Sequence, residues 1–144
     1  MSADPLDLLR ESRTIAMVGA SPNPQKPSHG VMRYLLRAGY RVIPVRIDGC
    51  ESVHGVPCVL SLHEIDEPID MVDVFRRPEH CPPHAREAVD VGAGSLWLQL
   101  GIRSPESRRI AEAAGLAYVE DACTAALHVS ATASSRSACS RMRT

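Results

Sequence analysis

Apolar residues along this chain alternate between short continuous runs and helical spacing. The runs over residues 15–18, 41–45, 71–75 and 95–101 are typical of buried parallel strands. Between and after them, apolar residues recur every three or four positions and end near a glycine. This spacing predicts amphipathic helices, over residues 29–38 with Ser28 as the cap, from Pro82 or Pro83 to residue 91, and over 105–114 with Ser104 as the cap.

Weaker signals complete the pattern. A short helix is predicted from Asp4, a short third strand around Cys58 and a last strand over residues 116–121. Strands that alternate with helices at this spacing indicate βαβ units. The sequence therefore predicts an α/β protein, a single Rossmann-like domain over residues 1–129 with a mostly parallel, doubly wound sheet. Residues 130–144 are small, polar and aperiodic, and we expect them to form a disordered C-terminal tail.

Composition narrows the possible partners. The formal net charge is −1 and aromatic residues make up 3% of the 144 residues, which argues against nucleic acid and anionic membranes as partners. No apolar segment has the length of a bilayer span or the character of a signal peptide, so a cytoplasmic location is expected. A homo-oligomer remains possible. The five cysteines are odd in number and contain no CxxC, so a disulfide framework is not expected.

The loop after the first predicted strand carries the main chemical signal. Gly19 follows that strand, but Ser21 and Pro24 stand where the dinucleotide-binding pattern G-x-G-x-x-G has its other glycines. Serine hydroxyls, backbone N–H groups and the N-terminus of the next helix can still face an anion. Lys26, the chain's only lysine, lies in this loop. The pattern favours a phosphate-binding loop, the alternative being a strand–helix connection rich in turn formers.

The end of the second strand indicates the kind of phosphate compound. An NAD site places an acidic residue there, whereas this strand is followed by Arg46, with Asp48 nearby. A cation suits a phosphorylated ribose, as in NADP or coenzyme A, although a solvated arginine would look the same. A second domain usually holds the substrate of an NADP oxidoreductase, and this chain has no room for one. Coenzyme A is therefore preferred, and an NADP-binding reductase subunit completed by a partner chain is the alternative.

Two further candidates follow later strands. Arg76 and Arg77 are neighbours at the end of the fourth strand, so only one of them is expected to face a ligand, unless both serve surface salt bridges. Cys123 follows the last strand, where a thiol can exchange with the thiol or a disulfide of coenzyme A or can be buried and inert.

Catalytic and metal sites are not predicted. Histidine and cysteine residues do occur near one another, but their spacing fits poorly because prolines and a glycine-containing loop interrupt it; they are Cys50, His54, Cys58, His80 and His84. No nucleophile, base and oxyanion donors assemble at a recognisable spacing. The sequence therefore indicates a binding protein rather than an enzyme.

Five sequence blocks in order resemble a known family. They are VGASPNPQKPSHGVMRYLLRAGYRVIPV, GVPCVLSLHEI, IDMVDVFRRPE, GAGSLWLQLGI and DAC, and the similarity that they carry covers about residues 6–128. The chain is similar to the stand-alone CoA-binding proteins, which resemble the CoA-binding domain of the succinyl-CoA synthetase alpha subunit. The resemblance implies a Rossmann-like fold and a site for coenzyme A or acyl-CoA. The residues it implies for this site are Gly19, Ala20, Ser21, Pro22, Lys26 and Ser28 at the phosphates, Val45 and Arg46 at the adenosine, Phe75, Arg76, Arg77 and Pro78 along the adenine and upper pantetheine path, and Gln99 and Gly101 deeper in the cleft.

The chain departs from the family pattern in two places. Arg46 and Ile47 replace the Asn-Pro that usually follows the second strand, and Ala122 and Ala125 replace the cations of the usual D-R-C-T-K segment. The expected function is that of a sensor, carrier or regulator that binds coenzyme A without doing chemistry. An interaction module that has kept the fold and lost the ligand is a further alternative.

Overall fold

The computed structural model describes residues 4–142 as a sheet covered by helices on both faces. The helices are α1 (Pro5–Glu11), α2 (Pro27–Arg37), α3 (Cys81–Asp90), α4 (Pro105–Ala113) and α5 (Thr124–Met142). The strands are β1 (Thr14–Val18), β2 (Arg41–Val45), β3 (Ser52–Val53), β4 (Val56–Pro57), β5 (Met71–Val74), β6 (Ser95–Leu98) and β7 (Ala117–Val119). The predicted Rossmann-like α/β fold is confirmed.

The main sheet has five strands in the order β2-β1-β5-β6-β7, and all neighbouring strands run parallel. The chain first builds outward from β1 to β2 and then crosses to β5 on the other side. The direction of strand addition therefore reverses between β1 and β5, and in parallel sheets ligands bind beyond the carboxyl ends of the strands at such a point.

Alternate residues of each strand enter different cores. Ile15 and Met17 of β1 pack with side chains of α1, α2 and α5, while Ala16 and Val18 pack on the face covered by α3 and α4. Trp97 is fully buried in the first of these cores. Burial on both faces explains why the strands read as continuous apolar runs in the sequence.

The third predicted strand does not join the main sheet. Residues 52–57 form a two-stranded antiparallel hairpin, and only Val59 makes an isolated parallel bridge to Val45 at the outer edge of β2. The hairpin brings Cys50 and Cys58 together, and their sulfurs are bonded with a Cα–Cα separation of 5.7 Å. Nothing in the sequence predicts this single disulfide, because the pairing arises from an antiparallel hairpin and not from a recognisable cysteine motif.

Two boundaries differ from the prediction for identifiable reasons. Helix α2 begins at Pro27, with Lys26 in the N-cap position, so Ser28 lies inside the first turn and is not the cap. Proline at the first helical position has the required φ and lacks only an N–H that would be unpaired there. Strand β6 ends at Leu98, three residues earlier than predicted, since Gly101 has φ +84° and the chain turns there.

Helix α5 continues through most of the segment predicted to be a disordered tail. It extends to Met142, whereas the prediction placed a boundary after residue 129. Residues 124–142 contain no proline or glycine and several alanines, a composition compatible with helix. The last two residues of the predicted tail, and residues 1–3 at the other end, lie outside the described residues. Among residues 4–142, no helix is both long and apolar enough to cross a bilayer.

Candidate functional site

The carboxyl ends of β1 and β5 touch at the point where strand addition reverses. Gly19 follows β1 with φ +84°, and a Cβ built on it would lie 2.6 Å from the carbonyl oxygen of Phe75 and 3.1 Å from Cγ of Arg76. Only glycine fits this approach. The Gly19 N–H donates to the carbonyl of Val45 at 2.9 Å, so the ends of three adjacent strands are joined at this corner.

A cavity of about 700 Å³ opens beyond these strand ends. Its walls come from the loop after β1, the first turn of α2, the segments after β2, β5 and β6, and the start of α5. Its lining residues are Gly19, Ser21, Lys26, Pro27, Ser28, Val31, Arg46, Phe75, Arg76, Arg77, Pro78, Gln99, Leu100, Gly101, Ile102 and Cys123. A second cavity of about 470 Å³ adjoins it at Arg46, Arg76 and Arg77 and extends toward Asp48 and His80.

The serines of the first loop brace the loop internally. The hydroxyl oxygen of buried Ser28 accepts the N–H of Ser21 at 3.0 Å, and the hydroxyl oxygen of Ser21 accepts the N–H of Asn23 at 3.1 Å. These backbone donors are therefore not free for an anion, although each hydroxyl keeps its own proton to donate. Lys26 is exposed at the start of α2, and its side chain has no hydrogen-bond partner among the residues whose side chains the structure describes.

Arg46 connects the end of β2 to the first loop. Its Nη1 donates to the carbonyl of Ala20 at 2.9 Å and its Nη2 to Asp48 at 3.1 Å. The side chain is 23% exposed, and its buried Nε has no hydrogen-bond partner among residues 4–133. An unpaired buried donor costs free energy. Nη1 and Nη2 each carry a second N–H, with which this partly exposed guanidinium can bind an acceptor.

The neighbouring arginines after β5 differ in their surroundings. Arg76 is half-buried, and its Nη1 lies 3.0 Å from Nε2 of His84 on α3. The Nδ1 of His84 lies 3.1 Å from a carboxylate oxygen of Glu87. Because arginine only donates, the imidazole accepts at Nε2 and donates from Nδ1. Burial lowers the pKa of His84, against the opposing effect of Glu87. Arg77 is exposed, and both arginines line the cavities.

A buried hydrogen-bonded group forms the floor beyond β6. Asp73 is fully buried on β5. Its Oδ1 accepts a hydrogen bond from Nε2 of Gln99 at 2.7 Å, and its Oδ2 accepts one from the hydroxyl of Thr124 at 3.2 Å. Nε2 of Gln99 also lies 2.9 Å from the hydroxyl oxygen of Thr124. Burial raises the pKa of Asp73 to about 7, against the lowering effect of these two hydrogen bonds.

Asp121 fixes the turn that ends the cavity. Its side chain accepts the N–H of Gly101 at 2.7 Å and Nη2 of Arg103 at 2.7 Å, and both contacts lower the pKa of this carboxyl, the backbone bond most. The residue has φ +55°, an uncommon conformation for a residue other than glycine. The segment that carries Cys123 is thereby attached to the loop after β6.

The structure brings most of the residues implied by the resemblance together around the larger cavity, with three exceptions. Ala20 is fully buried and Val45 is 1% exposed, so both belong to the core, while Pro22 is exposed and lines neither cavity. Ala20 contributes through its carbonyl, which holds Arg46.

Sequence reasoning missed part of the lining and some of the supports. The cavity residues it did not assign to the site are Pro27, Val31, Leu100 and Ile102, along with Val18, Ile47, Asp48 and His80 of the smaller cavity. It assigned no role to Asp73 or His84 as supports of Gln99 and Arg76. A signal for Asp73 was present, since a carboxylate inside an apolar strand run needs buried partners.

The two ends of the larger cavity differ in chemistry. Cations lie around the ends of β2, β1 and β5, namely Arg46, Lys26, Arg76 and Arg77. Uncharged side chains lie around the end of β6 and the start of α5, namely Gln99, Leu100, Ile102 and Cys123. From β2 to β6 the sheet advances by three strand spacings, about 14 Å. The arrangement fits an elongated ligand with phosphates at one end and an uncharged arm at the other.

Comparisons with known proteins show the family to which the chain belongs. A family model described as a CoA binding domain matches residues 13–129. The uncharacterized protein YneT of Bacillus subtilis (strain 168) is 38% identical over 122 residues, covering 85% of this chain and 90% of that protein. A Thermus thermophilus structure has 38% identity and a TM-score of 0.82, covering 88% of this chain and 97% of the other. A hypothetical protein from Pyrococcus horikoshii OT3 has 34% identity and a TM-score of 0.83, covering 88% and 90%.

Proposed function

The chain belongs to the CoA-binding domain family, and from that premise we propose that it binds coenzyme A or an acyl-CoA through the phosphates and acts as a non-catalytic sensor, carrier or regulator. The observation that carries this proposal is the cavity beyond β1 and β5, with cations at one end and uncharged walls at the other. The ligand's phosphates take the cationic end, and its pantetheine arm takes the uncharged end.

Three of the four cations have a proposed role that follows from their place. Lys26, at the start of α2, contacts the diphosphate together with the helix N-terminus. Arg46, after β2, contacts the phosphorylated ribose, where an acceptor can pair the guanidinium more fully than Ala20 and Asp48 do alone. Arg76, oriented by His84, faces the path between the phosphates and the arm.

The proposal of a non-catalytic role has support in the lining of the larger cavity. Among the described residues, no histidine, aspartate or glutamate lines it. The adjoining cavity contains His80 and Asp48, both exposed. A protein of this kind acts by binding and releasing its ligand, so that its ligand-bound and ligand-free forms carry the signal or the cargo.

Calorimetric titration tests the proposal. We expect coenzyme A to bind more tightly than dephospho-CoA and more tightly than NADP. Tighter binding of NADP would support a reductase subunit completed by a partner chain. If none of the three compounds binds, the result would support an interaction module that has lost the ligand. Mass spectrometry of the freshly purified native protein provides an independent readout, because the mass of a co-purified nucleotide identifies its class.

A further inference from the structure

We infer that Gln99 recognises the pantetheine arm by accepting a hydrogen bond, at its side-chain carbonyl oxygen, from an amide N–H of the ligand. This inference rests on the proposed function and adds a specificity-determining contact at the uncharged end of the cavity. Gln99 lines the cavity, and its side chain is almost completely buried, with a residue exposure of 4%.

The buried contacts fix which end of the amide faces the cavity. Nε2 of Gln99 carries two protons, and it has two acceptors in the interior, Oδ1 of Asp73 at 2.7 Å and the hydroxyl oxygen of Thr124 at 2.9 Å. The carbonyl oxygen Oε1 has no hydrogen-bond partner among the described residues, and it is not one of the buried unpaired atoms. An accessible acceptor is therefore what this side chain offers to a ligand.

This orientation is required when Asp73 is ionised. Both carboxylate oxygens then only accept, so a flipped amide would place Oε1 against the acceptor Oδ1. When the carboxyl is protonated at Oδ2, that oxygen donates to the hydroxyl of Thr124, while Oδ1 and the hydroxyl oxygen still accept from Gln99. The floor of the cavity thus presents an acceptor when Asp73 is ionised, and the same arrangement is compatible with protonation at Oδ2.

The chemistry of coenzyme A identifies the donor. At this end of the ligand the donors are the amide N–H groups, the hydroxyl and the terminal thiol of the pantetheine arm. The thiol is a weak donor and is absent from an acyl-CoA. In an extended arm the hydroxyl lies next to the phosphates, and the amide N–H groups lie between it and the sulfur. The amides therefore match the position of Gln99 beyond β6, while the cations lie beyond β2, β1 and β5.

The test is the variant Gln99→Met, which keeps the length of the side chain and removes its hydrogen-bonding groups. Calorimetry is run with coenzyme A, with acetyl-CoA and with adenosine 3′-phosphate 5′-diphosphate, the nucleotide end of the ligand without its arm. We expect Kd to rise about tenfold for both CoA compounds, the effect of one lost hydrogen bond, and to stay unchanged for the nucleotide.

The outcomes separate this inference from the proposed function. If the wild-type protein binds neither coenzyme A nor the nucleotide, the proposed function fails. If the wild-type protein binds coenzyme A and Gln99→Met binds it equally well, the inference fails and the proposed function stands. A loss confined to coenzyme A, with acetyl-CoA unaffected, overturns the assignment to an amide N–H and points to the thiol.

A second pair of variants addresses the orientation itself. Asp73→Asn can still accept from Gln99 through its carbonyl and donate to Thr124 through its amide, so the Kd for coenzyme A is expected to stay within about twofold of wild type. Asp73→Leu removes the acceptor, and with it we expect the same loss as in Gln99→Met. Thermal denaturation establishes that each variant is folded. Equal affinity of folded Asp73→Leu and wild type for coenzyme A would exclude Asp73 as a positioning residue.

Discussion

Nη1 of Arg76 lies 3.0 Å from Nε2 of His84, so an arginine at the cavity is oriented by a buried imidazole that accepts its hydrogen bond. The imidazole must be neutral to accept there. Glu87 on the same helix accepts the hydrogen bond that Nδ1–H of His84 donates. The nearby charges of Arg76 and of His80, in the preceding turn, disfavour a positive charge on the imidazole. His63, which lies 3.6 Å from Glu87, also competes for that carboxylate.

Acid is expected to weaken both the fold and this contact. Because burial holds the pKa of His84 below the ordinary value of 6.5, the unfolded chain binds more protons than the folded one as the pH falls through that value. The free energy of unfolding of wild type minus that of His84→Gln should therefore be constant above about pH 7 and decrease toward about pH 5. Urea denaturation at several pH values measures it.

The difference between wild type and His84→Gln also controls for the titration of Asp73. Asp73, whose pKa is raised to about 7, destabilises the fold as the pH rises through that range, which is the opposite trend. Its contribution is common to wild type and His84→Gln and cancels in their difference. A difference that does not change with pH would contradict the neutral, accepting imidazole.

Gly19→Ala should be among the most damaging small substitutions. A Cβ at this position meets the Phe75 carbonyl at 2.6 Å and requires a left-handed φ, which alone costs an alanine about 1 kcal/mol. Gly115→Ala is the matched control, since Gly115 has φ +80° and nothing within 4 Å of its Cβ position. Denaturant titration should show a clearly larger loss for Gly19→Ala, together with lost CoA binding. Equal losses of unfolding free energy in the two variants would mean that the β1–β5 contact does not restrict the size of the residue at position 19.

Lys26→Ala should weaken CoA binding without affecting the fold. The side chain is exposed and makes no hydrogen bond within residues 4–133, so its removal leaves stability within about 0.5 kcal/mol of wild type. Loss of one phosphate contact should raise Kd about tenfold and reduce its dependence on salt. Arg109→Ala removes an equal charge from an exposed position on α4 outside both cavities. Equal effects of the two substitutions would exclude a specific contact.

Arg46→Gln should remove the preference for the ribose phosphate. The side chain lies after β2, and a charge-assisted hydrogen bond contributes about 1.5–3 kcal/mol, so coenzyme A should lose about tenfold or more in affinity. Dephospho-CoA, which lacks that phosphate, should lose little. Calorimetry with both ligands measures the two changes. A parallel loss for both would place Arg46 at the diphosphate instead.

The parts of the fold that sequence predicts well are those with long periodic signals. β2 was bounded correctly at Arg41–Val45, and Ser104 caps α4 as expected, with its hydroxyl oxygen accepting the N–H of Ser107. The β3–β4 hairpin was missed because its two-residue strands carry no periodicity. β6 was overextended because Leu100 continues the apolar run, although it is 71% exposed.

The candidate site, like the fold, could be predicted only in part from the sequence. Strand ends of a parallel sheet converge, so residues that directly follow β1, β2, β5 and β6 could be grouped from sequence. The contacts that orient them could not. Asp73 and Thr124 are 51 positions apart, and their pairing depends on how α5 packs under the sheet. Ser21 and Ser28 bind each other because the loop folds back, which residue types alone do not reveal.

The bridge between Val45 and Val59 also has a consequence for self-association. The Val59 N–H donates to the carbonyl of Pro44 at 3.0 Å, and its carbonyl accepts the N–H of Arg46 at 2.9 Å, while Pro44 has no N–H to offer. The C-terminal end of the outer border of β2 is thus already occupied by the chain itself. A strand from another molecule that added along β2 would have to displace this segment, whereas β7 forms the opposite border of the sheet.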